Sequence, residues 1–311
     1  MRVVTWNLWW RFGPWRERRH AVLAVLRELR PDAVGLQEVW ASPDENLAGW
    51  LAHELGLHWT WAASPAPGRF RRRAGPEDAA VDVGNAILSR WPLTDRAVIR
   101  LPAPERKPDD GRLALGATLQ RPGAPVPFFT THLTSDAAAS ATRCAQTAAL
   151  ARFTADRTAA CGSHHPPVLT GDYNSLPDSD EMRLLSGLRT APAVPGQVLY
   201  DVWEFADPAE PSATWGPANP YVPSGPAARV DYIHTGPPAP DGLGDVRAVR
   251  RAGFGPVDGV WPSDHAAVAA DLGDGEERED GQREGDGGAP KHRAPGRHGP
   301  DRHRTERQGP D

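Results

Sequence analysis

The sequence has no apolar run of about eighteen residues, the length at which a membrane-spanning helix becomes possible. It has only two cysteines, Cys144 and Cys161, among 311 residues. Two cysteines are too few for a disulfide framework, so we expect ordinary thiols in a reducing compartment. No signal sequence precedes the first strand-like segment. These absences together predict a cytoplasmic protein without a membrane span.

Large apolar residues are missing from residues 273–311, which contain no Leu, Ile, Val, Phe, Trp or Tyr. Such a segment cannot bury enough apolar surface to offset its chain entropy, so we predict a disordered tail. Its first part is mainly acidic and its last part is mainly basic. We interpret it as a solvated tail; a role in binding nucleic acid or metal is the alternative. Residues 1–272 are long enough for one domain with a substantial core.

An excess of positive charge is also missing. The formal net charge is −5 for the whole chain, and residues 1–272 hold 27 basic and 30 acidic residues. This balance argues against tight, indiscriminate binding to nucleic acid, although a local basic patch remains compatible with it. Nothing in the sequence predicts an obligatory protein partner.

Strand-like and helix-like segments alternate along residues 1–272. The predicted helices lie at 15–29, 46–55, 137–155 and within 177–188, with long loops at 65–82 and 190–228. The predicted strands lie at 3–6, 33–36, 58–63, 85–89, 97–101, 113–119, 126–131, 168–170, 229–233, 245–252 and 266–271. Many strands with a few helices in mixed order predict an α/β fold of two packed sheets flanked by helices.

Four strand-like runs end in a polar signature. The four are Thr5-Trp6-Asn7, Leu36-Gln37-Glu38, Gly171-Asp172-Tyr173-Asn174 and Pro262-Ser263-Asp264-His265. Hydrolysis of a phosphate ester needs neutralised charge, an oriented water and a poised acid or base. Mg²⁺ accepts carboxylate and amide oxygens while it keeps several waters. The residue types therefore suit a hydrated Mg²⁺ and a phosphate ester.

Seven stretches, taken in order, resemble the endonuclease/exonuclease/phosphatase superfamily. They are Thr5-Trp6-Asn7-Leu8, Gly35-Leu36-Gln37-Glu38-Val39, Gly84-Asn85-Ala86-Ile87-Leu88-Ser89-Arg90, Thr131-His132-Leu133, Gly171-Asp172-Tyr173-Asn174-Ser175, Arg229-Val230-Asp231-Tyr232-Ile233 and Ser263-Asp264-His265. Any one of them is a weak signal, but seven in sequence are specific. The resemblance implies the DNase I-like fold, a four-layer α/β-sandwich of two mixed sheets flanked by helices. It also implies a Mg²⁺-dependent phosphoesterase.

The resemblance further implies which residues hold the metal. Glu38 is the expected main carboxylate ligand, with Asn7 beside it. Asp264 is carried over as a further carboxylate, on the same ion or on a second one. These oxygen ligands would accept Mn²⁺ as well as Mg²⁺.

Five further residues are expected to do the chemistry. Asp172 would orient and deprotonate the attacking water, and Asn174, two residues on, would hold the phosphate or the metal shell. In an extended segment that spacing places both on one face. His265 needs a carboxylate to fix its tautomer, and Asp231 is the expected partner. His132 would bind a phosphoryl oxygen.

Other residues are weaker candidates for contact with the substrate. Asn85, Arg112 and Thr214 are the three that we single out. In addition, Trp9, Trp10, Trp15 and the arginines of 69–73 would offer stacking and phosphate binding at a rim. The alternative for that rim is that the tryptophans pack in the core and the arginines lie in a solvated loop.

The substrate is the least defined feature. The superfamily includes nucleases, deadenylases, inositol-phosphate phosphatases, sphingomyelin phosphodiesterases and enzymes that release adducts from DNA ends. Without a signal sequence or a long apolar hairpin, a secreted lipid phosphodiesterase is disfavoured. The expectation is therefore a phosphodiester or phosphomonoester hydrolase that acts on a small substrate or on a nucleic acid. The alternatives are a catalytically silent phosphate-binding module, or an inositol-phosphate or sphingomyelin-type phosphohydrolase.

Overall fold

A computed structural model describes residues 1–73, 75–104 and 110–275. The strands are β1 (Arg2–Asn7), β2 (Ala33–Ala41), β3 (His58–Ala63), β4 (Asp82–Ser89), β5 (Leu93–Arg100), β6 (Leu113–Leu119), β7 (Val126–His132), β8 (Val168–Asp172), β9 (Tyr200–Asp201), β10 (Asp231–Thr235), β11 (Val246–Ala252) and β12 (Ala267–Leu272). The helices are α1 (Trp15–Leu29), α2 (Leu47–Leu55), α3 (Gly68–Arg71), α4 (Ser140–Cys161) and α5 (Asp180–Ser186). The tail predicted for residues 273–311 lies outside the described residues from position 276 onward.

The strands form two six-stranded sheets. The first sheet has the order β11-β12-β1-β2-β4-β3, and the second has the order β5-β6-β7-β8-β10-β9. Each sheet contains one parallel pair, β1 with β2 and β7 with β8, among antiparallel neighbours. The two faces pack against each other. The predicted α/β-sandwich of two mixed sheets flanked by helices is therefore confirmed.

Alternation along single strands explains the layers. Val3 lies in the core between the two sheets, whereas its neighbour Val4 packs in the core beneath α1 and α2. Phe128 faces the other sheet in the same way, and Phe129 faces α4. Successive strand residues point to opposite faces, so both faces of the central strands are buried, whereas β3, β5 and β11 are partly exposed.

A polar contact fixes the two sheets close together near one end. Gln37 is fully buried, and its Nε2 donates hydrogen bonds to Thr5 Oγ1 and, across the sheets, to Thr130 Oγ1, at 3.2 and 2.9 Å. At Gly35 an added Cβ would lie 1.9 Å from Thr170 Oγ1. The backbones therefore approach so closely that only glycine fits at position 35.

Several element bounds differ from those predicted. Helix α4 runs over Ser140–Cys161 instead of 137–155, because Asp136 starts a turn that delays it and no helix breaker occurs before Gly162, which has a φ of +64°. Strand β5 begins at Leu93 instead of 97, since the ladder continues across a bulge where Asp95 has a φ of +51°. Strand β10 begins and ends two residues later than predicted, at Asp231–Thr235.

The two predicted long loops are also not wholly irregular. The segment 65–82 contains α3, which Phe70 anchors in the core, and a 3₁₀ turn at Pro76–Asp78. The segment 190–228 contains β9 and a 3₁₀ turn at Val202–Phe205. Among the described residues, no helix combines the length and the apolar character that crossing a membrane requires.

Candidate active site

A cavity of about 470 Å³ opens where strands of both sheets end. Seven of the eight residues that we predicted to be metal-binding or catalytic line it; they are Asn7, Glu38, His132, Asp172, Asn174, Asp264 and His265. The eighth, Asp231, lies behind His265. The topology therefore gathers residues that are up to 258 positions apart into one site.

Asn7 ends β1 and links the two sheets. Its Nδ2 donates a hydrogen bond to Asp172 Oδ2 at 2.9 Å, and its Oδ1 accepts one from the backbone N–H of Trp9 at 3.0 Å. An amide oxygen has two lone pairs, so Oδ1 keeps one for a further ligand.

Glu38 reaches the cavity through a β-bulge. The sequence predicted that its strand ends at Leu36, but β2 continues to Ala41. The ladder with β4 is irregular between Leu36 and Val39, and Glu38 has a φ of +52°. A bulge re-aims a side chain without ending the strand. The bulge, and not the end of a strand, therefore places Glu38 in the site.

His132 and Asp172 are direct partners in the register of the parallel pair β7 and β8. Nε2 of His132 lies 3.3 Å from Oδ2 of Asp172, and its Nδ1 lies 3.9 Å from Oε1 of Glu38. Burial lowers the pKa of His132 well below its ordinary value, and the nearby charges of Arg112 and Arg69 lower it further. His132 is therefore neutral at physiological pH.

Asn174 follows β8 in a left-handed conformation, with a φ of +49°. The extended geometry that we predicted for residues 172–174 is therefore wrong. The chain turns because the backbone N–H of Asn174 donates to Oδ1 of Asp172 at 3.0 Å. Its Nδ2 donates to the carbonyl oxygen of Leu133 at 3.1 Å, and the side chain still lines the cavity.

His265 and Asp231 form a buried pair. Nδ1 of His265 lies 2.8 Å from Oδ2 of Asp231, and its Nε2 lies 3.9 Å from Oδ2 of Asp172. Burial alone would lower the pKa of His265, but the carboxylates of Asp231 and Asp264 raise it well above its ordinary value. Burial and the charge of Asp231 raise the pKa of Asp172 to about 7. The site thus holds one charged and one neutral histidine beside a carboxylate that titrates near neutrality.

Asp264 is held beside Glu38 by its neighbour Ser263. The hydroxyl of Ser263 donates to the carbonyl oxygen of Asn7 at 2.6 Å and accepts from the backbone N–H of His265 at 3.2 Å. Burial raises the pKa of Asp264 to about 6, and the charge of Glu38 contributes to that rise.

Two groups of side chains could hold a divalent ion. Asp172, Asp231 and His265 offer three ligand atoms that all lie within 4.8 Å of one another. Glu38 and Asp264 offer two carboxylates, to which Asn7 adds an amide oxygen at the same cavity. The first group is a mixed nitrogen and oxygen set, and the second contains oxygen only.

The three weaker candidates are placed differently. Asn85 and Arg112 line a small cavity of about 20 Å³ that also touches Glu38 and His132. Burial lowers the pKa of Arg112 to about 9, and its Nε has no hydrogen-bond partner among the described residues. Thr214 does not reach either cavity. It is fully buried, and its Oγ1 accepts the backbone N–H of Asp231 at 3.3 Å, so it positions Asp231 instead of facing the substrate.

The predicted rim of tryptophans is only partly present. Trp9 lines the main cavity and stacks on Tyr221, with ring centroids 4.5 Å apart. Trp10 is buried in the core, and Trp15 packs edge-on against Trp40, away from the cavity. Trp215, which the sequence did not single out as a rim residue, lines the cavity as well.

The arginines of 69–73 also divide into two sets. Arg69 and Arg73 line the main cavity. Arg71 instead forms an ion pair with Asp82 at 2.6 Å, and Arg72 is exposed outside the cavity.

Sequence reasoning missed Arg18, which organises the loops of the site. Its guanidinium is buried and donates hydrogen bonds of 2.8–3.0 Å to five backbone carbonyl oxygens, those of Leu8, Trp9, Trp10, Phe12 and Pro262. The available signal was its position four residues before Val22, on the apolar stripe of α1.

Comparisons with known proteins agree with this architecture. The model of the Endonuclease/Exonuclease/phosphatase family matches residues 4–265, so the chain belongs to that family. The catalytic domain of human Nocturnin with bound sulfate is similar at 21% identity, over 88% of this chain and 94% of that one, with a TM-score of 0.66. Truncated Caenorhabditis elegans TDP2 is similar at 21% identity, over 86% and 95%, with a TM-score of 0.62. D. rerio TDP2 with a single-strand DNA product is similar at 19% identity, over 87% and 97%, with a TM-score of 0.64. These likenesses show the fold. No curated protein matches the chain.

Proposed function

We propose that the chain hydrolyses a phosphodiester or phosphomonoester by in-line attack of a water on phosphorus, with Mg²⁺ or Mn²⁺ as cofactor. The observation that carries the proposal is the buried pair of His265 and Asp231 beside Asp172, in the cavity that Glu38 and Asp264 also line. A binding module would have no need for a carboxylate and a histidine whose pKa values are shifted in this way.

Glu38, Asp264 and Asn7 would hold the ion. Their oxygens are the ligand type that Mg²⁺ prefers. The raised pKa of Asp264, about 6, reflects burial next to another carboxylate, Glu38, and a divalent cation would offset that repulsion. When bound, the ion would neutralise charge on a phosphoryl oxygen and lower the pKa of a water.

The group of Asp172, Asp231 and His265 fits the ion less well. A histidine with a raised pKa carries protons on both ring nitrogens and has no lone pair for a metal. Its Nδ1–H donates to Asp231 instead. We therefore assign these three residues to proton transfer.

Asp172 is the proposed general base. Its pKa of about 7 lets it take a proton from water near neutral pH. Hydrogen bonds from Asn7 and from the backbone N–H of Asn174 hold its two oxygens, so its orientation is fixed before the substrate binds.

His265 is the proposed proton donor to the departing oxygen. The water gives one proton to Asp172, its oxygen bonds to phosphorus, and the leaving oxygen takes a proton from Nε2 of His265. Asp231 stabilises the charged ring beforehand and keeps it oriented. The neutral His132 and the amide of Asn174 would stabilise charge on the phosphoryl oxygens.

The nature of the substrate is a further part of the proposal. A nucleic acid is supported by the similar fold of D. rerio TDP2, whose structure contains a single-strand DNA product. An inositol-phosphate or sphingomyelin-type phosphohydrolase, or a silent binding module, would be the alternative. A cytoplasmic location stays a prediction.

The test is metal-dependent hydrolysis by purified wild type and Glu38→Ala. The substrates are single-stranded DNA, abasic duplex, RNA, inositol phosphates, sphingomyelin and bis(p-nitrophenyl) phosphate, each with Mg²⁺, Mn²⁺ or EDTA. We expect turnover of at least one substrate, lost with EDTA and in Glu38→Ala. Glu28→Ala is the matched control, because it removes an exposed carboxylate of α1. Equal turnover in wild type and Glu38→Ala would contradict the metal assignment.

A further inference from the structure

One wall of the main cavity carries two arginines that the proposed chemistry does not use. We propose that Arg73, with Arg69 beside it, binds a second phosphate of the substrate. The preferred substrate is then a nucleotide strand, in which another phosphate follows the scissile phosphate along the strand. The inference rests on the proposed function and specifies its substrate.

Arg73 is the less neutralised of the two. Its guanidinium carbon lies 4.4 Å from the centroid of the Phe12 ring, which fixes its position by a cation–π contact. No carboxylate within residues 1–73, 75–104 and 110–275 forms an ion pair with it. An arginine at the wall of a cavity, whose side-chain N–H groups have no acceptor among the described residues, is suited to a phosphate oxygen.

Arg69 is partly neutralised. Its guanidinium carbon lies 4.7 Å from the Phe70 ring centroid, and Nη1 lies 3.9 Å from Oδ1 of Asp110. Asp110 is also engaged by the hydroxyl of Thr134 through its other oxygen. The side chain of Arg69 keeps 30% of its surface exposed, so it can still share a phosphate with Arg73.

Helix α3, which carries Arg69, is anchored on both sides. Phe70 packs against Trp10 and Phe12, with ring centroids 5.7 and 5.9 Å apart. Arg71 pairs with Asp82 at 2.6 Å and donates to the carbonyl oxygen of Val81 at 3.0 Å. The backbone that carries Arg69 is therefore anchored, which favours binding. Arg73 follows α3 by two residues, and its exposed side chain lies over the Phe12 ring.

Aromatic side chains in the same cavity indicate the class of molecule. Trp9 and Trp215 both line it. An aromatic surface next to phosphate-binding arginines is suited to stacking of a base, which neither an inositol phosphate nor a lipid headgroup can provide. The combination favours a nucleotide strand over a polyphosphorylated sugar.

The experiment compares four substrates. They are bis(p-nitrophenyl) phosphate; thymidine 5′-(p-nitrophenyl phosphate); the same nucleotide with a 3′-phosphate; and inositol 1,4-bisphosphate, which has a second phosphate but no base. We expect Arg73→Ala to raise KM for the 3′-phosphorylated nucleotide about tenfold, with kcat within about twofold, because one charge-assisted hydrogen-bond donor is lost. The first two substrates should be unaffected, which also shows that the variant folds.

Arg72→Ala is the matched control. It removes the same charge from the neighbouring position; both side chains are exposed, but Arg72 does not line the cavity. Equal effects of Arg72→Ala and Arg73→Ala would reduce the role of Arg73 to long-range attraction and overturn the proposal. An equal loss of activity of Arg73→Ala on all four substrates would also overturn the proposal. A loss confined to inositol 1,4-bisphosphate would overturn the nucleotide assignment.

A second measurement separates this inference from the proposed function. Binding of fluorescein-labelled thymidine trinucleotide is followed by anisotropy in EDTA, where no turnover is needed. We expect weaker binding, with a salt slope reduced by about one, in Arg73→Ala but not in Arg72→Ala. If the wild type hydrolyses none of the substrates, including bis(p-nitrophenyl) phosphate, the proposed function fails. The difference in binding between Arg73→Ala and Arg72→Ala still tests whether Arg73 binds a phosphate. Indistinguishable binding by Arg73→Ala and Arg72→Ala would overturn the proposed phosphate subsite at Arg73.

Discussion

Nη1 of Arg18 donates a 2.8 Å hydrogen bond to the carbonyl oxygen of Pro262, a residue 244 positions further along the chain. The same guanidinium holds the loop after β1, so the segment that follows Asn7 is tied to the segment that precedes Asp264. Its pKa is lowered by burial, but only to about 10, so it keeps its charge at neutral pH.

Replacing Arg18 with methionine should therefore destabilise the protein strongly. Three buried and two partly buried carbonyl oxygens would lose a donor, and we expect a loss of about 3–5 kcal/mol in the free energy of unfolding, measured in urea. Arg27→Met is the control, since Arg27 forms an exposed pair with Glu54 and should cost less than about 1 kcal/mol. Comparable losses in the two variants would show that the Arg18 contacts do not support the loops.

Asp231→Asn should change the pH dependence of hydrolysis. The carboxylate of Asp231 helps to raise the pKa of His265, and His265 must be protonated to act as donor. Removing that charge lowers the pKa, so the loss of kcat on the alkaline side should begin at lower pH than in wild type. We also expect kcat at the optimum to fall about 10²–10⁴-fold. An alkaline limb that does not move would exclude His265 as the titrating donor.

Two buried histidines predict a loss of stability in acid. Burial lowers the pKa of His165 and of His234 to about 4. Above pH 6.5 these two histidines are neutral in both the folded and the unfolded protein. Between pH 6.5 and 4 they take up protons in the unfolded chain but stay neutral in the folded protein. The free energy of unfolding should therefore fall with decreasing pH in this window, by up to about 1.4 kcal/mol per pH unit for each histidine.

His234→Phe tests that prediction. His234 stacks on Tyr232 and its Nδ1 has no partner among the described residues, so an apolar ring should be accepted there. In urea unfolding between pH 7 and 4, the free energy of unfolding should fall less steeply with decreasing pH in His234→Phe than in wild type. His53→Gln, which changes an exposed histidine, should leave the slope unchanged. If all three proteins lose stability in parallel, other groups carry the acid sensitivity.

Gly35→Ala should push the two sheets apart. Its Cβ would lie 1.9 Å from Oγ1 and 2.8 Å from Cβ of Thr170. We expect a loss of at least about 1–3 kcal/mol, the range for overpacked cores. Thr170→Ala in the same chain should recover part of it, since the closest atom is removed. A double-mutant cycle measures the recovery, and Gly255→Ala, where nothing lies within 4 Å, is the control.

The sequence predicted those parts of the site that follow from strand order. Asp172 and His132 stand opposite each other because two parallel strands end together, and apolar runs reveal such ends. The bulge at Glu38 and the turn at Asn174 were not predictable in this way. Glu38 has a positive φ although glutamate rarely adopts one, so the register of β2 against β4, and not local preference, sets its conformation. Asn174 tolerates a positive φ, and its turn is closed locally by the hydrogen bond from its backbone N–H to Oδ1 of Asp172.

The burial of a charged side chain was the other feature that the sequence did not predict. Arginine is mostly an exposed residue, so residue type argues against a buried Arg18, although its position falls on the apolar stripe of α1. Only the converging carbonyl oxygens of two distant loops explain why it is buried. Thr214 is the opposite case. Its sequence position suggested contact with a ligand, whereas in the structure its hydroxyl accepts a hydrogen bond from the backbone N–H of Asp231.

Strand β12 lies between β1 and β11, although β1 is the first and β12 the last strand of the described residues. Because synthesis starts at the N-terminus, the edge of β1 that pairs with β12 cannot be covered until residues 267–272 have been made. Asp264 and His265 directly precede β12, so the nascent chain acquires the proposed proton donor and the proposed second acidic ligand together with this strand. We expect ribosome-stalled chains that end before position 264 to be inactive. The order of synthesis would then keep an unfinished hydrolase silent.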